Sequence, residues 1–168
     1  MSRRAITPAV RRHDALGLIA TYKNLVVSMH WGRPMSGHAD ELAQCVAEVV
    51  SLHERFVTVV VVTGGEVLHA PDTQTRARLR QLVADTADTG LGTAFVVTRG
   101  GFLGSAAVSL LSGLFVLSRS PEPNRAFRTI GTAAPWLEDL LADGSTPWQT
   151  TEVLEALQTI TALHIPAT

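Results

Sequence analysis

The stretch that decides the fold is Phe56-Val57-Thr58-Val59-Val60-Val61-Val62. Six of its seven residues are β-branched, and polar residues do not alternate with apolar ones along it. β-branched side chains favour extended backbone, and a strand without alternation is typical of one that is covered on both faces. We therefore predict that Phe56–Val62 is the central strand of a sheet with helices packed on it.

Two apolar runs of strand length precede the central strand, Ala15–Tyr22 and Leu25–Trp31. The two polar residues Lys23-Asn24 separate them, which predicts a β-hairpin. Apolar residues at helical spacing over residues 38–53 then predict an amphipathic helix that leads into the central strand.

Helices and strands alternate through the rest of the chain. The predicted elements are a helix from Asp72 or Thr73 to about residue 87, a strand at 92–98, an apolar helix at 102–117, a short strand near a sheet edge at 125–130, a helix from Thr132 to Leu141, and a last helix at 149–163. Such alternation indicates crossover connections. We predict an α/β fold: a single mixed, mostly parallel sheet of about five strands with an N-terminal β-hairpin, helices packed on it, and an extra C-terminal helix.

The 168 residues suit one main domain with two additions. Residues 1–13 contain four arginines and are predicted to be a flexible basic N-terminal arm. Residues 14–142 form the α/β domain. Residues 146–168 form an appended amphipathic helix, because the break Asp143-Gly144-Ser145 ends the alternation.

Charge and cysteine content exclude several classes of protein. The net charge of −1 does not favour nucleic acid as a partner, and a single cysteine excludes an internal disulfide framework. The N-terminus lacks the apolar core of a secretory signal, and glycine and serine dilute the uncharged run 101–118, so we predict no membrane span. A cytoplasmic protein is expected.

No catalytic constellation is found in the sequence. The six histidines form neither HxxxH nor HxH, there is no Gly-x-Ser-x-Gly elbow, and Cys45 lies within a predicted helix beside Val46. His30 alternates with Ser28 and is interpreted as a strand histidine at the edge of the core. We therefore predict no catalytic residue, no metal and no cofactor.

Three segments are candidate regulatory or binding sites. A phosphate on Thr73, in Asp72-Thr73-Gln74-Thr75, would face the positive end of a helix and could meet Arg76 or Arg78; capping by Asp72 or Thr73 is the alternative. The turn with Gly100, Gly101 and Gly104 precedes a predicted helix and is a candidate anion-binding turn, with close helix packing as the alternative. The last helix has an apolar stripe for its own sheet or a second copy, formed by Val153, Leu154, Leu157 and Ile160.

Two patterns carry a family resemblance. One is Asn124-Arg125-Ala126-Phe127-Arg128-Thr129 followed by Ala133-Ala134-Pro135-Trp136-Leu137, and the other is the hairpin strand Leu25–Gly32 running through Arg33-Pro34 into an amphipathic helix. Over roughly residues 14–142, the chain resembles the STAS-like superfamily, in particular its SpoIIAA-like branch of anti-sigma-factor antagonists.

The resemblance implies a bacterial, non-enzymatic regulatory domain that binds a protein partner. Some STAS domains are switched by phosphorylation in an Asp-Ser-Ser-Gly motif after the central strand. This chain has Asp72-Thr73-Gln74-Thr75 there, without the glycine and after a longer loop. Two alternatives stay open: a small-molecule or nucleotide-binding α/β domain, enzymes included, and a self-assembling structural subunit. A homodimer is compatible with the first and the last of these three functions.

Overall fold

The structure is a computed structural model that describes residues 5–33, 35–63, 71–98, 122–149 and 151–164. Six strands and four helices lie within these ranges. In chain order they are β1 (Ala9–His13), β2 (Gly17–Tyr22), β3 (Leu25–His30), α1 (Ser36–His53), β4 (Phe56–Val62), α2 (Thr73–Asp85), β5 (Gly90–Val97), β6 (Asn124–Phe127), α3 (Ile130–Ala142) and α4 (Glu152–Thr161).

The described strands form one mixed sheet whose spatial order is the chain order, β1 to β6. β2 pairs antiparallel with β1 on one side and with β3 on the other, and β3, β4, β5 and β6 run parallel. β4 pairs with strands on both sides, and Val57, Val59 and Val61 are fully buried. The predictions of an α/β fold, of the hairpin and of a central strand at Phe56–Val62 are therefore confirmed.

The number of strands differs from the prediction, because residues 9–13 form β1 where a flexible arm was expected. β1 pairs with β2 along the sheet edge, with a bulge between Val10 and Arg12. Its arginines make ion pairs, Arg11 with Glu48 and Arg12 with Asp14. A short, charged and mostly exposed strand is what a protected sheet edge requires, and such a strand carries almost no hydrophobic pattern.

The sheet has a hydrophobic cluster on each face, because successive residues of a strand point to opposite sides. On one face, Val27 and Val59 belong to a cluster that includes Leu137 of α3 and Leu157 of α4. The other face is covered by α1 and α2, and its buried cluster consists of Ile19, Val26, Leu42, Cys45, Val46, Val49 and Phe56. The described helices thus form a layer on each side of the sheet.

The turn of the β2–β3 hairpin anchors the C-terminal region. The Asn24 side chain is fully buried: its Nδ2 donates to the carbonyl of Arg55 at 3.1 Å, and its Oδ1 accepts from Trp148 Nε1 at 2.9 Å. Lys23 Nζ lies 2.7 Å from the carboxylate of Glu152, at the start of α4. These contacts fix α4 against the same sheet that its apolar stripe covers.

Helix α3 begins earlier than predicted. Thr129 is its N-cap, and its side-chain oxygen accepts from the amide of Thr132, the residue that was expected to be the cap. The helix starts at Ile130, so Pro135 lies inside it, and the preceding strand ends at Phe127. The predicted strand at 125–130 was too long because its last residues belong to the cap and the helix.

None of the helices in the described ranges is long and apolar enough to cross a membrane. The apolar helix predicted at 102–117 lies outside those ranges.

Candidate functional site

The carboxyl ends of the parallel strands meet at one edge of the sheet, which we call the carboxyl edge. β3 ends there at His30, and Thr63, just after β4, donates its amide to the His30 carbonyl at 3.0 Å. Helices α1 and α2 begin at the same edge, since each follows one of these strands. In open α/β sheets this is the edge at which ligands commonly bind.

Ser28 and His30 form a hydrogen-bonded pair on one face of β3. They are two residues apart, so their side chains share a face, and Ser28 Oγ lies 2.7 Å from His30 Nε2. Ser28 is 1% exposed and His30 is 8% exposed. The second ring nitrogen of His30, Nδ1, has no hydrogen-bond partner among the described residues.

His38 faces His30 from the first turn of α1. The two ring centroids are 5.1 Å apart, His38 is only 2% exposed, and neither of its ring nitrogens has a partner within the described ranges. Gly17 makes room for this ring: a Cβ there would lie 3.2 Å from His38 Cε1 and Nε2 and under 3.0 Å from the carbonyl oxygen of Met29. We refer to His30 and His38 as the histidine pair.

A charged turn borders the histidine pair on the β1 side. The carboxylate of Asp14 accepts from the amides of Leu16 at 2.8 Å and Gly17 at 3.1 Å, and from Arg12 Nε at 2.6 Å. Burial tends to raise the pKa of Asp14, but these three donors together outweigh it and hold the pKa below its usual value. Asp14 is therefore a carboxylate whose oxygens already accept hydrogen bonds from its own turn and from Arg12.

The environment of the histidine pair favours the neutral form of both rings. Burial, together with the charge of His38, lowers the pKa of His30 to about 4. For His38, burial and then the Arg12 guanidinium lower the pKa, against smaller opposing effects of Asp14 and Glu41. Desolvation disfavours the charged form of an imidazole, so a proton on either ring is costly here.

The chemistry open to the histidine pair is limited by its surroundings. The Ser28–His30 distance suits a nucleophile and a base, but Ser28 is buried within a strand, where a substrate carbonyl has no access. A tetrahedral metal site takes three or four protein ligands, and no group of three candidate ligands occurs in the part of the chain that the structure describes. The observations thus define a buried, packed pair of imidazoles with three ring nitrogens that have no partner among the described residues.

The start of α2 holds the predicted regulatory residues. Asp72 is the N-cap, and its Oδ1 accepts from the amide of Thr75 at 2.7 Å, which is the capping that was the stated alternative. That hydrogen bond is the main cause that lowers the pKa of Asp72. Thr73 is exposed, with Arg76 Nη2 3.4 Å from its Oγ1, whereas Thr75 is buried. Arg78 lies 3.3 Å from Asp40 of α1, so Arg76 is the arginine brought to Thr73.

The apolar stripe of the last helix is occupied within the chain. Val153, Leu157 and Ile160 are fully buried, and Leu154 packs against the same cluster. Of the two alternatives stated for this stripe, its own sheet or a second copy, the described residues show the first, because the stripe is buried against the chain's own sheet.

The candidate anion-binding turn lies outside the described residues, since Gly100, Gly101 and Gly104 all fall between 98 and 122. The small-molecule hypothesis therefore stays a prediction.

A shallow groove of about 340 Å³ opens at the opposite end of β3, beside the hairpin turn. Its lining runs from Glu138 of α3 to Gln149 and includes Trp148. It is far from the histidine pair, and Trp148 is already tied to Asn24 and lies under Lys23, whose Nζ is 4.9 Å from the ring centroid. Its residues connect α3 and α4 to the hairpin, which is a structural role.

Cys45 is buried in α1, and burial raises the pKa of its thiol to about 11. The thiolate is the reactive form, so we expect alkylation by iodoacetamide at neutral pH to be at least roughly 100-fold slower in the native protein than in denaturant. Mass spectrometry of timed samples measures both rates. Equal rates would contradict the burial of this thiol.

Sequence reasoning did not find the histidine pair. The spacing Ser28-x-His30 in a strand does indicate a shared face, and it was used to assign His30 to the core edge. His38 was separated from it by a turn with glycine and proline, and no local spacing links a strand end to the following helix start. The missing signal is tertiary: it depends on the angle at which α1 returns over β2 and β3.

In comparisons with known proteins, no family model, no curated protein and no solved structure matches this chain. The resemblance to the STAS-like superfamily stays a hypothesis that rests on the sequence patterns.

Proposed function

We propose that this chain is a non-enzymatic regulatory domain that binds a protein partner and is controlled by phosphorylation of Thr73. The observation that supports the proposal is the position of Thr73. It is an exposed hydroxyl at the first residue of α2, with the Arg76 guanidinium 3.4 Å away.

A phosphate on Thr73 would be stabilised by two features of this helix start. It would lie beside the positive dipole end of α2, and Arg76 could donate to its oxygens. Asp72 opposes it as a like charge that already accepts from the Thr75 amide, although Arg33 lies near enough to contribute to lowering the pKa of Asp72. Because the dipole and two arginines favour the anion, we expect the phosphate to order this surface.

The carboxyl edge of the sheet also offers a contact surface for a partner. Met35, the N-cap of α1, is 47% exposed, and Arg33 beside it is also exposed. Methionine and arginine are enriched in protein interfaces relative to the rest of the surface. A partner that covers Met35 would therefore also sense the charge at Thr73.

The test places a photo-crosslinking amino acid at Met35 and compares wild type, Thr73→Glu and Thr132→Glu in the native cells. Thr132 is an exposed threonine in the first turn of α3, so it controls for charge at a helix start. We expect one crosslinked protein, with a yield that changes roughly 10-fold in Thr73→Glu alone, which corresponds to about 1.4 kcal/mol. No crosslink, or the same yield in all three proteins, contradicts the proposal.

A further inference from the structure

We propose that the histidine pair is an acid-sensitive latch, which holds the start of α1 and the β1–β2 turn against β3 and favours their release in mildly acidic solution. The proposal goes beyond the function proposed for α2 and does not depend on it.

Three elements meet at the histidine pair. His30 ends β3, Gly17 is its partner across the antiparallel β2–β3 ladder, and His38 lies on the first turn of α1. The His38 ring packs against the backbone of Gly17 and lies 5.1 Å from the His30 ring, centroid to centroid. The contact between the helix start and the two strands therefore passes through these two imidazoles.

The latch is held by packing, and polar contacts contribute little to it. Three of the four ring nitrogens of the histidine pair lack a hydrogen-bond partner among the described residues. Both side chains are more than nine-tenths buried. A neutral imidazole tolerates such a site, whereas an imidazolium has two N–H groups to satisfy and a charge to solvate.

The charged groups around the histidine pair do not compensate for a proton. Arg12 of β1 is a further cation near His38, and two protonated rings would also repel each other. The opposing anions are Glu41 of α1 and Asp14, which is already bonded to Arg12 and two amides.

Two further histidines lie at the carboxyl edge of the sheet. Trp31 follows His30 directly, and its ring lies between those of His13 of β1, at 5.8 Å, and His164, after α4, at 5.0 Å. Neither ring can supply a negative charge that would offset a proton on the histidine pair.

The direction of the pH dependence follows from the lowered pKa. His30 has a pKa of about 4 in the closed form and an ordinary value of 6.5 when released. Above the ordinary pKa the closed form therefore keeps its full free-energy advantage. That advantage is lost as the pH falls from the ordinary pKa through the lower pKa of the closed form. At about pH 5 the released form should be favoured roughly 30-fold more than at about pH 7.5 by His30 alone. Since the pKa of His38 is also lowered, its effect has the same sign.

The test is amide hydrogen exchange, read by mass spectrometry at about pH 7.5 and about pH 5 and corrected for intrinsic rates. In the wild type we expect peptides from residues 14–20 and 36–42 to lose roughly 30-fold more protection at the lower pH than residues 57–61 of β4. The double variant His30→Gln/His38→Phe has no titratable ring at the latch. Its protection in the same two segments should therefore fall by less than about 3-fold. His53→Gln, which removes a histidine from the other end of α1, should behave as wild type.

Three results would overturn the proposal. Equal loss of protection in the three segments means that acid unfolds the whole protein without a local release. Equal loss of protection in the wild type and in the double variant means that the histidine pair does not cause the loss. A rise in melting temperature on adding ZnCl₂ that His38→Gln abolishes would make the pair a metal site. If the double variant does not fold, His38→Gln alone decides, because removing one of the two rings must reduce the pH-dependent loss.

Discussion

The Leu157→Ala variant is expected to lose about 3 kcal/mol of the free energy of unfolding. Leu157 lies on α4 and is fully buried in the cluster that also contains Met29 of β3 and Leu137 of α3. Its truncation removes apolar contacts with two elements and leaves a cavity that the sheet cannot close. Urea denaturation followed by circular dichroism measures the loss as a shift in midpoint with little change in slope.

The control for this variant is Leu52→Ala on α1. Leu52 is 77% exposed, so the same chemical change should alter the free energy of unfolding by no more than about 0.5 kcal/mol. Equal losses in the two variants would contradict the packing of α4 described here.

The parts of the fold that could be predicted are those in which a local pattern has one physical solution. A run of β-branched residues such as Phe56–Val62 fits only a covered strand, and Lys23-Asn24 between two apolar runs fits a hairpin. β1 was not predicted, because an edge strand such as Ala9–His13 is rich in charged residues. A solvated, flexible arm has the same kind of composition. The cap of α3 was misplaced by three residues because Thr129 and Thr132 are equally good capping residues, and the end of β6 decides between them.

The candidate sites divide in the same way. Capping by Asp72 could be predicted from the sequence, because the N-cap side chain bonds to an amide only three residues further along the chain. The role of the stripe with Leu157 was left between two alternatives, because amphipathicity shows that a face is covered and does not identify what covers it. The histidine pair could not be predicted, as its 5.1 Å separation requires the β2–β3 register, the path of α1 and the absence of a side chain at Gly17 together.

The Gly17→Ala variant should lose about 2–3 kcal/mol, because the added methyl group has no space on either side. On one side it would meet the carbonyl oxygen of Met29, which belongs to the backbone of the neighbouring strand and cannot rotate away. On the other side it would lie 3.2 Å from the ring of His38. The backbone of Gly17 has no positive φ, so the cost is one of packing rather than of conformation.

Gly37→Ala is the matched control, because the same methyl group is added 20 residues along the chain, in the first turn of α1. A Cβ at Gly37 would meet no neighbour closer than 3.8 Å, at Arg12 Nη1, so alanine should stabilise the helix by about 0.5 kcal/mol. Thermal and urea denaturation of both variants measure the difference, and the opposite signs separate crowding at β2 from a general effect of alanine. If Gly17→Ala is as stable as wild type, His38 does not pack on β2, and the contact on which the latch depends is absent.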